Sequence, residues 1–269
     1  MAEDEPTHVA RTLRCLELLA LGPQSPPGLA AALGAHPRTV RRLLAQLCEL
    51  GYAAESHGER GYFEATLKLV ALGGHVVERT DVVRLAFPYI ARLRNATGEA
   101  AHFSVPAEAG VLHLIQETGP SVVMVKPRWG ELVPYHATAS GKALLAYRAD
   151  LYDRVLAQPL ARFTAATITE PADLLLALAE VREAGYATDD QEFDLDLRCV
   201  AAPVFDHTGT VTACVGVSAP ASRVGTEELP RLAAQAREVS SALSATLGFG
   251  ARPKAASFLT SSSNPRAHG

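Results

Sequence analysis

Three consecutive residues, Ser140-Gly141-Lys142, lie in the stretch PYHATASGKALLAY (Pro134–Tyr147) and place a hydroxyl, a bare backbone and a cation at one turn. Such a trio could cradle a phosphate or present a nucleophile. A phosphate-binding loop needs a glycine five positions before the glycine of its Gly-Lys pair, and a Ser or Thr after the lysine. Those positions hold His136 and Ala143, which sets nucleotide chemistry aside. A G-x-S-x-G hydrolase elbow is also missing, GVSAP at Gly216–Pro220 coming nearest, and an S-x-x-K nucleophile would need serine where Ala139 stands. The turn does offer small residues, Ala137 to Gly141, leading into a helix that Thr138 or Ser140 can cap. Free backbone N–H groups at such a start attract an anion, and short side chains let it approach. A plain cap with nothing bound is the alternative.

Other reactive groups lie further on, in GYATDDQEFDLDLRCVAAPVFDHTGTVTACVGVSAP (Gly185–Pro220). Cys199 opens an apolar strand, either as a buried small hydrophobe or as a ligand contact. A nucleophilic cysteine wants a positioned base, and His207 falls on a turn at the strand's far end. No residue is therefore assigned a catalytic role. Asp189 and Asp190 follow a helix end and read as an exposed loop pair or as ligand contacts. Arg198 could pair with one of them or with a ligand carboxylate. Trp129, in KPRWGELVPYH, and Met124 are candidate pocket walls, with core or interface places as alternatives. The four cysteines, Cys15, Cys48, Cys199 and Cys214, form no C-x-x-C pair, so reduced thiols are expected and neither a metal site nor a cofactor.

A second set of groups lies near the N-terminus. In RTVRRLLAQLCEL, Val40, Leu43, Leu44, Leu47 and Leu50 form an apolar stripe, and Arg38, Arg41, Arg42 and Gln46 the opposite face. This is a solvated basic face or a helix that reads DNA, with Thr39 a neutral donor and Arg60, on a Gly-rich hairpin tip, a phosphate contact. Residues 1–64 hold six arginines, no lysine and eight acidic residues, and the whole chain has a formal net charge of −4. Affinity for DNA must therefore come from specific contacts and pairing of copies more than from bulk attraction.

The elements that must carry these groups follow from periodicity and punctuation. A helix beginning near Val9 ends at Gly22-Pro23, with Val9, Leu13, Leu16, Leu18, Leu19 and Leu21 at helical spacing. A short helix, a tight turn at Ala35-His36-Pro37, the arginine-bearing helix and a hairpin follow, which is the order of a winged helix-turn-helix. A helical connector over 66–80 includes Gly73-Gly74, a weak point that permits hinging. Thereafter helices are expected over about 82–95, 141–147, 151–156, 172–184 and 227–247, and strands near 101–105, 111–117, 122–126, 199–205 and 211–218. Strands in runs flanked by helices point to an α+β unit with a mainly antiparallel sheet. The expected organisation is 1–65 DNA-binding, 66–80 linker helix, 81–250 effector domain and 251–269 a disordered Ser- and Pro-rich tail. With no early cleavable segment and no long apolar run, a cytoplasmic protein without membrane association is expected.

Taken together, YHATASGKALLA, DDQEF…LRCVAAPVFD and the helix-turn-helix with VRRLLAQLCELGY closely resemble the IclR family of bacterial transcriptional regulators, over about Val9–Leu247. The resemblance implies a winged-helix DNA-binding domain, a linker helix and a GAF-like effector domain. It implies homodimers or homotetramers that repress or activate genes on double-stranded operator DNA, in answer to small, frequently acidic or aromatic metabolites. It places an effector carboxylate against the amides of Ala139 and Ser140, and further contacts at Asp189, Cys199 and the pair Gly216 and Ser218. Gly216 departs from the serine of a relative; one hydroxyl is lost, and the glycine is expected to leave room for a bulkier or less polar ligand. The turn at Pro37 and Arg38 also departs from the commoner family pattern, so the operator is not transferable. The competing readings are a sensor or partner-binding module without direct DNA readout, and an enzyme using Cys199 or Ser140.

Overall fold

The computed structural model describes residues 7–78, 81–119 and 130–250. Its chain divides into two compact units, Met1–Thr80 and Asp81–Gly269, taken separately below.

The first unit contains α1 (His8–Ala20), α2 (Pro26–Ala32), α3 (Pro37–Glu49), a hairpin of β1 (Ala53–Glu55) and β2 (Phe63–Ala65), and α4 (Lys68–Glu78). Each early helix starts on a side-chain cap: Thr7 accepts from the Ala10 amide, Ser25 from Gly28, and His36 from Arg38. Proline at the first turn of α2 and α3 costs no hydrogen bond there. Cys15, Leu19, Leu29, Val40, Leu44 and Leu47 close the core. Two expectations are corrected. On α1 only Cys15 and Leu19 are buried, one turn apart, while Val9, Leu13 and Leu21 are exposed. Leu50 is the C-cap of α3 and is 58% exposed, so the stripe of α3 ends at Leu47. The connector α4 runs through Gly73-Gly74 without a break.

The second unit is built on a six-stranded antiparallel sheet, ordered β5-β4-β3-β8-β7-β6. In chain order its elements are α5 (Asp81–Thr97), β3 (Ala100–Pro106), β4 (Val111–Glu117), β5 (Leu132–Val133), α6 (Ala139–Leu145), α7 (Ala149–Leu156), α8 (Pro171–Ala184), β6 (Ala187–Asp190), β7 (Leu197–Phe205), β8 (Val211–Pro220) and α9 (Leu229–Thr246). Strand side chains alternate between faces. Cys199 and Ala201 of β7 join a core with Ala139, Ala143 and Leu144 of α6 and Leu174 and Leu178 of α8. Val200, Ala202 and Val204 point to the other face, where α5 and α9 pack together.

Short β5 and β6 were not expected, and the strand expected near 122–126 lies outside the described residues, as does the tail over 251–269. Asp189 and Asp190 are corrected from a loop pair to strand residues: β6 pairs with β7 through Asp189↔Cys199 and Asp190↔Arg198. The turn expected at His207 joins β7 to β8, with the Asp206 carboxylate accepting from the amides of Thr208 and Thr210. No described helix is long and apolar enough to cross a membrane.

Candidate functional site

The helix α6 is the lid of the second unit's core, and all seven of its residues are buried. Thr138, not Ser140, is its N-cap. The Thr138 hydroxyl accepts from the Gly141 amide at 3.1 Å and donates to the Pro134 carbonyl at 2.7 Å. Gly141 is required by contact rather than by conformation: a Cβ there would lie 2.0 Å from the Tyr135 carbonyl oxygen. Lys142 faces inward and donates to the Glu192 carboxylate, 2.6 Å to Oε2. Their side chains are 5% and 11% exposed, so this lysine is an internal counter-ion rather than a ligand cation. The amides of Ala139 and Ser140 have no hydrogen bond among the described residues.

Beneath those two amides a cavity of about 40 Å3 is lined by Thr138, Ala139, Ser140, Asp189, Cys199, Ser218, His102, His113, Val133, Phe193 and Leu197. The walls come from α6 above and from all six strands of the sheet below. Antiparallel pairing brings Ser218 beside both Cys199 and Ala100. The Cys199 thiol donates to the Ser218 hydroxyl at 3.4 Å. Met124 and Trp129, the remaining sequence candidates, lie outside the described residues.

Asp189 is 2% exposed, and its Oδ1 accepts from the amides of Glu192 (2.7 Å) and Phe193 (3.3 Å). Burial raises its pKa to about 7; the two amide hydrogen bonds and Lys142 oppose that shift and the Glu192 carboxylate adds to it. The folded protein thus keeps the proton to about pH 7, whereas an ordinary aspartate releases it near 3.8. Stability from this residue is fullest below that lower value and falls as pH rises between the two, because the native state there holds more protons than the unfolded chain. An amide oxygen can still accept both backbone bonds, so Asp189→Asn is expected to remove this part of the pH dependence. In thermal melts at pH 4 to 8 the variant should gain on the parent protein as pH rises to about 7 and then run parallel to it. Parallel curves from pH 4 upward would count against the buried acid.

Arg198 does not face the cavity. Its Nε donates to Asp190 Oδ1 at 2.6 Å, and Nη1 donates to the carbonyls of Ala221 and Val224. The other Asp190 oxygen accepts from the Thr226 hydroxyl. The neighbouring aspartates therefore serve opposite faces of one strand, Asp189 the cavity and Asp190 the outside.

Sequence reasoning missed two histidines. Ser104 Oγ lies 3.1 Å from His102 Nδ1 and 2.6 Å from His113 Nδ1, in a fully buried chain. Burial, and secondarily His113, holds the pKa of His102 well below its ordinary value. The room expected at Gly216 does not exist, because His102 sits directly across from it on β3: a Cβ at 216 would lie 2.3 Å from His102 Cε1 and 2.8 Å from the Val200 carbonyl oxygen. Cys214 donates to the Ser140 carbonyl at 3.7 Å, and burial pushes its thiol up to about 12, which keeps it protonated and unreactive.

In the first unit, Arg38, Arg41 and Arg42 are exposed on α3, opposite buried Val40, Leu43, Leu44 and Leu47, and Thr39 is half-buried at its first turn. Arg60 is exposed in the connection between β1 and β2.

A family model described as bacterial transcriptional regulator IclR C-terminal matches residues 74–245. The chain is 32% identical over 253 residues to the HTH-type transcriptional regulator KdgR of Escherichia coli (strain K12), covering 92% of this chain and 96% of that one. Among solved structures, an IclR transcriptional regulator from Alicyclobacillus acidocaldarius matches with a TM-score of 0.78 at 25% identity, over 88% of this chain and 97% of that one. An IclR homolog from Microbacterium hydrocarbonoxydans, solved with 4-hydroxybenzoate, shares the fold with a TM-score of 0.77 at 22% identity, over 90% and 99%.

Proposed function

The chain belongs to the IclR family of bacterial transcriptional regulators and is a DNA-binding regulator rather than an enzyme; on that premise we propose that it is switched by a small carboxylate, the cavity beneath α6 being the effector site. One observation carries this reading. Ala139, Ser140, Asp189, Cys199 and Ser218, scattered over 80 positions of sequence, line one cavity with two unpaired amides in its roof. Buried N–H groups without partners cost free energy unless something accepts from them, and a carboxylate supplies two acceptors. The complex of the Microbacterium protein with 4-hydroxybenzoate fits the same ligand chemistry.

The first unit acts as the winged helix-turn-helix, residues 1–65, with α3 entering the major groove, Arg38, Thr39, Arg41 and Arg42 meeting bases or phosphates, and Arg60 a phosphate beside the hairpin. Residues 66–80 link it to the effector domain at 81–250. Two copies are needed to read a two-fold operator. The exposed Val9 and Leu13 of α1 and Val70 and Leu72 of α4 are apolar surface suited to such pairing as a homodimer, or two dimers as a homotetramer. Effector binding favours one arrangement of the assembly and so shifts operator occupancy. Coupling of about 1–3 kcal/mol corresponds to roughly 5- to 150-fold in affinity.

Gel-shift titration with the gene's own upstream region tests the reading. A sequence-specific complex should form, and 4-hydroxybenzoate, pyruvate or another carboxylate of a small panel should shift its midpoint. Replacing Arg41 and Arg42 together by alanine should weaken the complex on the order of a hundredfold, at about 1–3 kcal/mol per arginine, with the melting temperature preserved because both side chains are exposed. Undiminished binding by that double variant would remove α3 as the reading element and favour a module that senses without reading DNA.

A further inference from the structure

The side chains across β3 and β8 carry the argument further than the cavity's outline. His102 is 96% buried by its 4% exposure, and its Nδ1 is taken by Ser104. Its Nε2 has no hydrogen bond among the described residues; the ring lines the cavity, and its Cε1–Nε2 edge lies against Gly216. A ring nitrogen that opens onto the cavity loses its hydrogen bond when a ligand displaces water without pairing with it, so a ligand that pairs with it gains on one that does not.

We propose that His102 is the specificity-determining residue of this cavity, its Nε2 donating to a second oxygen of the effector, a carbonyl or hydroxyl distinct from the carboxylate. This rests on the reading of the cavity as the effector site. The imidazole takes the volume that a side chain at 216 would fill and replaces its hydrogen-bonding capacity. Glycine at 216 is thus the condition for His102, not an opening for bulk.

The chain of three residues makes the nitrogen adaptable. Ser104 has one hydroxyl proton and lies between two Nδ1 atoms, so it donates to one ring and accepts from the other. With both rings neutral their tautomers are therefore opposite: one ring carries its proton on Nε2, the other on Nδ1. A carbonyl oxygen selects the state in which His102 Nε2 is the donor, and a hydroxyl can pair with either. Ser104 on its own strand and His113 on β4 touch His102, and the other polar groups lining the cavity with it are Ser218 on β8, Cys199 on β7, Asp189 on β6, Thr138 and Ser140. No Lys or Arg is among the described lining residues, and Lys142 is committed to Glu192. A neutral imidazole has no charge with which to hold a second carboxylate. The site is accordingly one for monocarboxylic acids bearing a neutral oxygen, and dicarboxylates are refused.

Calorimetry on the full chain at pH 7 tests this with matched pairs: pyruvate against propionate, and 4-hydroxybenzoate against benzoate. The parent protein should prefer the oxygenated member of at least one pair by about tenfold, the scale of one net hydrogen bond. His102→Phe should bring the affinities of the two members of the pair together, and His102→Gln, whose amide can reach the same place, should keep part of the preference. If the parent protein binds oxygenated and deoxy acids alike, or if His102→Phe keeps the preference while Asp189→Asn loses binding, the cavity remains the effector site and the role of His102 falls. If no acid of either pair binds the parent protein, the effector reading itself falls, and this inference with it. The comparison within the parent protein needs no variant, so a poorly folding substitution leaves the decision intact.

Discussion

Gly141→Ala is expected to destabilise the second unit by about 3 kcal/mol or more, although alanine is the better helix former by roughly 1 kcal/mol. Helix propensity and packing predict opposite signs here, and packing wins on distance. The added Cβ would lie 2.0 Å from the Tyr135 carbonyl oxygen and 2.4 Å from its Cα, both backbone atoms that no rotamer change can move. Tyr135 cannot retreat easily either. Its hydroxyl accepts from the Ala107 amide at 3.1 Å and donates to the Ala107 carbonyl at 2.9 Å, while the Thr138 hydroxyl holds the adjoining Pro134 carbonyl. In a domain of this size the loss corresponds to a drop of about 6–12 °C in melting temperature. A melt within about a degree of the parent protein would mean that the turn relaxes far more cheaply than its contacts imply.

Lys142→Met should be of similar size for an electrostatic reason. The substitution keeps much of the volume and strands the Glu192 carboxylate inside the core, and removing one partner of a buried pair costs about 3–5 kcal/mol. The loss should reach beyond the pair. The Glu192 carbonyl accepts from the hydroxyls of Thr164 and Thr167, and the Glu192 amide donates to Asp189, so the segment 164–167 and the cavity wall both hang on this residue. Chemical denaturation of Lys142→Met, Glu192→Leu and the double variant separates the effects. The double variant should recover most of the stability lost by Lys142→Met alone, since an apolar pair leaves no charge stranded. Additive losses would show that the two residues contribute independently and would undo the account.

These two cases explain why the motif was legible in part. The sequence argument excluded nucleotide and hydrolase chemistry at Ser140-Gly141-Lys142 and located a small-residue helix start, because both depend on local spacing. It had no means of finding Glu192, fifty positions away, or the Tyr135 backbone against Gly141. The arginine-bearing helix and the strand Val111–Glu117 were legible, since burial there follows a regular period along the segment itself. β6 was not: ATDD is poor in strand-forming residues, and it is a strand only because β7 pairs with it. The exchange between His102 and Gly216 depends on the register of β3 against β8, which no single segment encodes. A lost hydroxyl at 216 was therefore visible in the sequence, and what replaced it was not.

The position of β6 has a consequence for whether a foreign strand can join the sheet. It is a margin of the sheet, where unpaired backbone invites another strand to extend the ladder. Four residues are a poor template, and Asp189 points inward from them; a slip of one residue would thrust Asp190 into the core, tear it from Arg198 and turn Asp189 out to water. That margin therefore resists recruitment into runaway stacking.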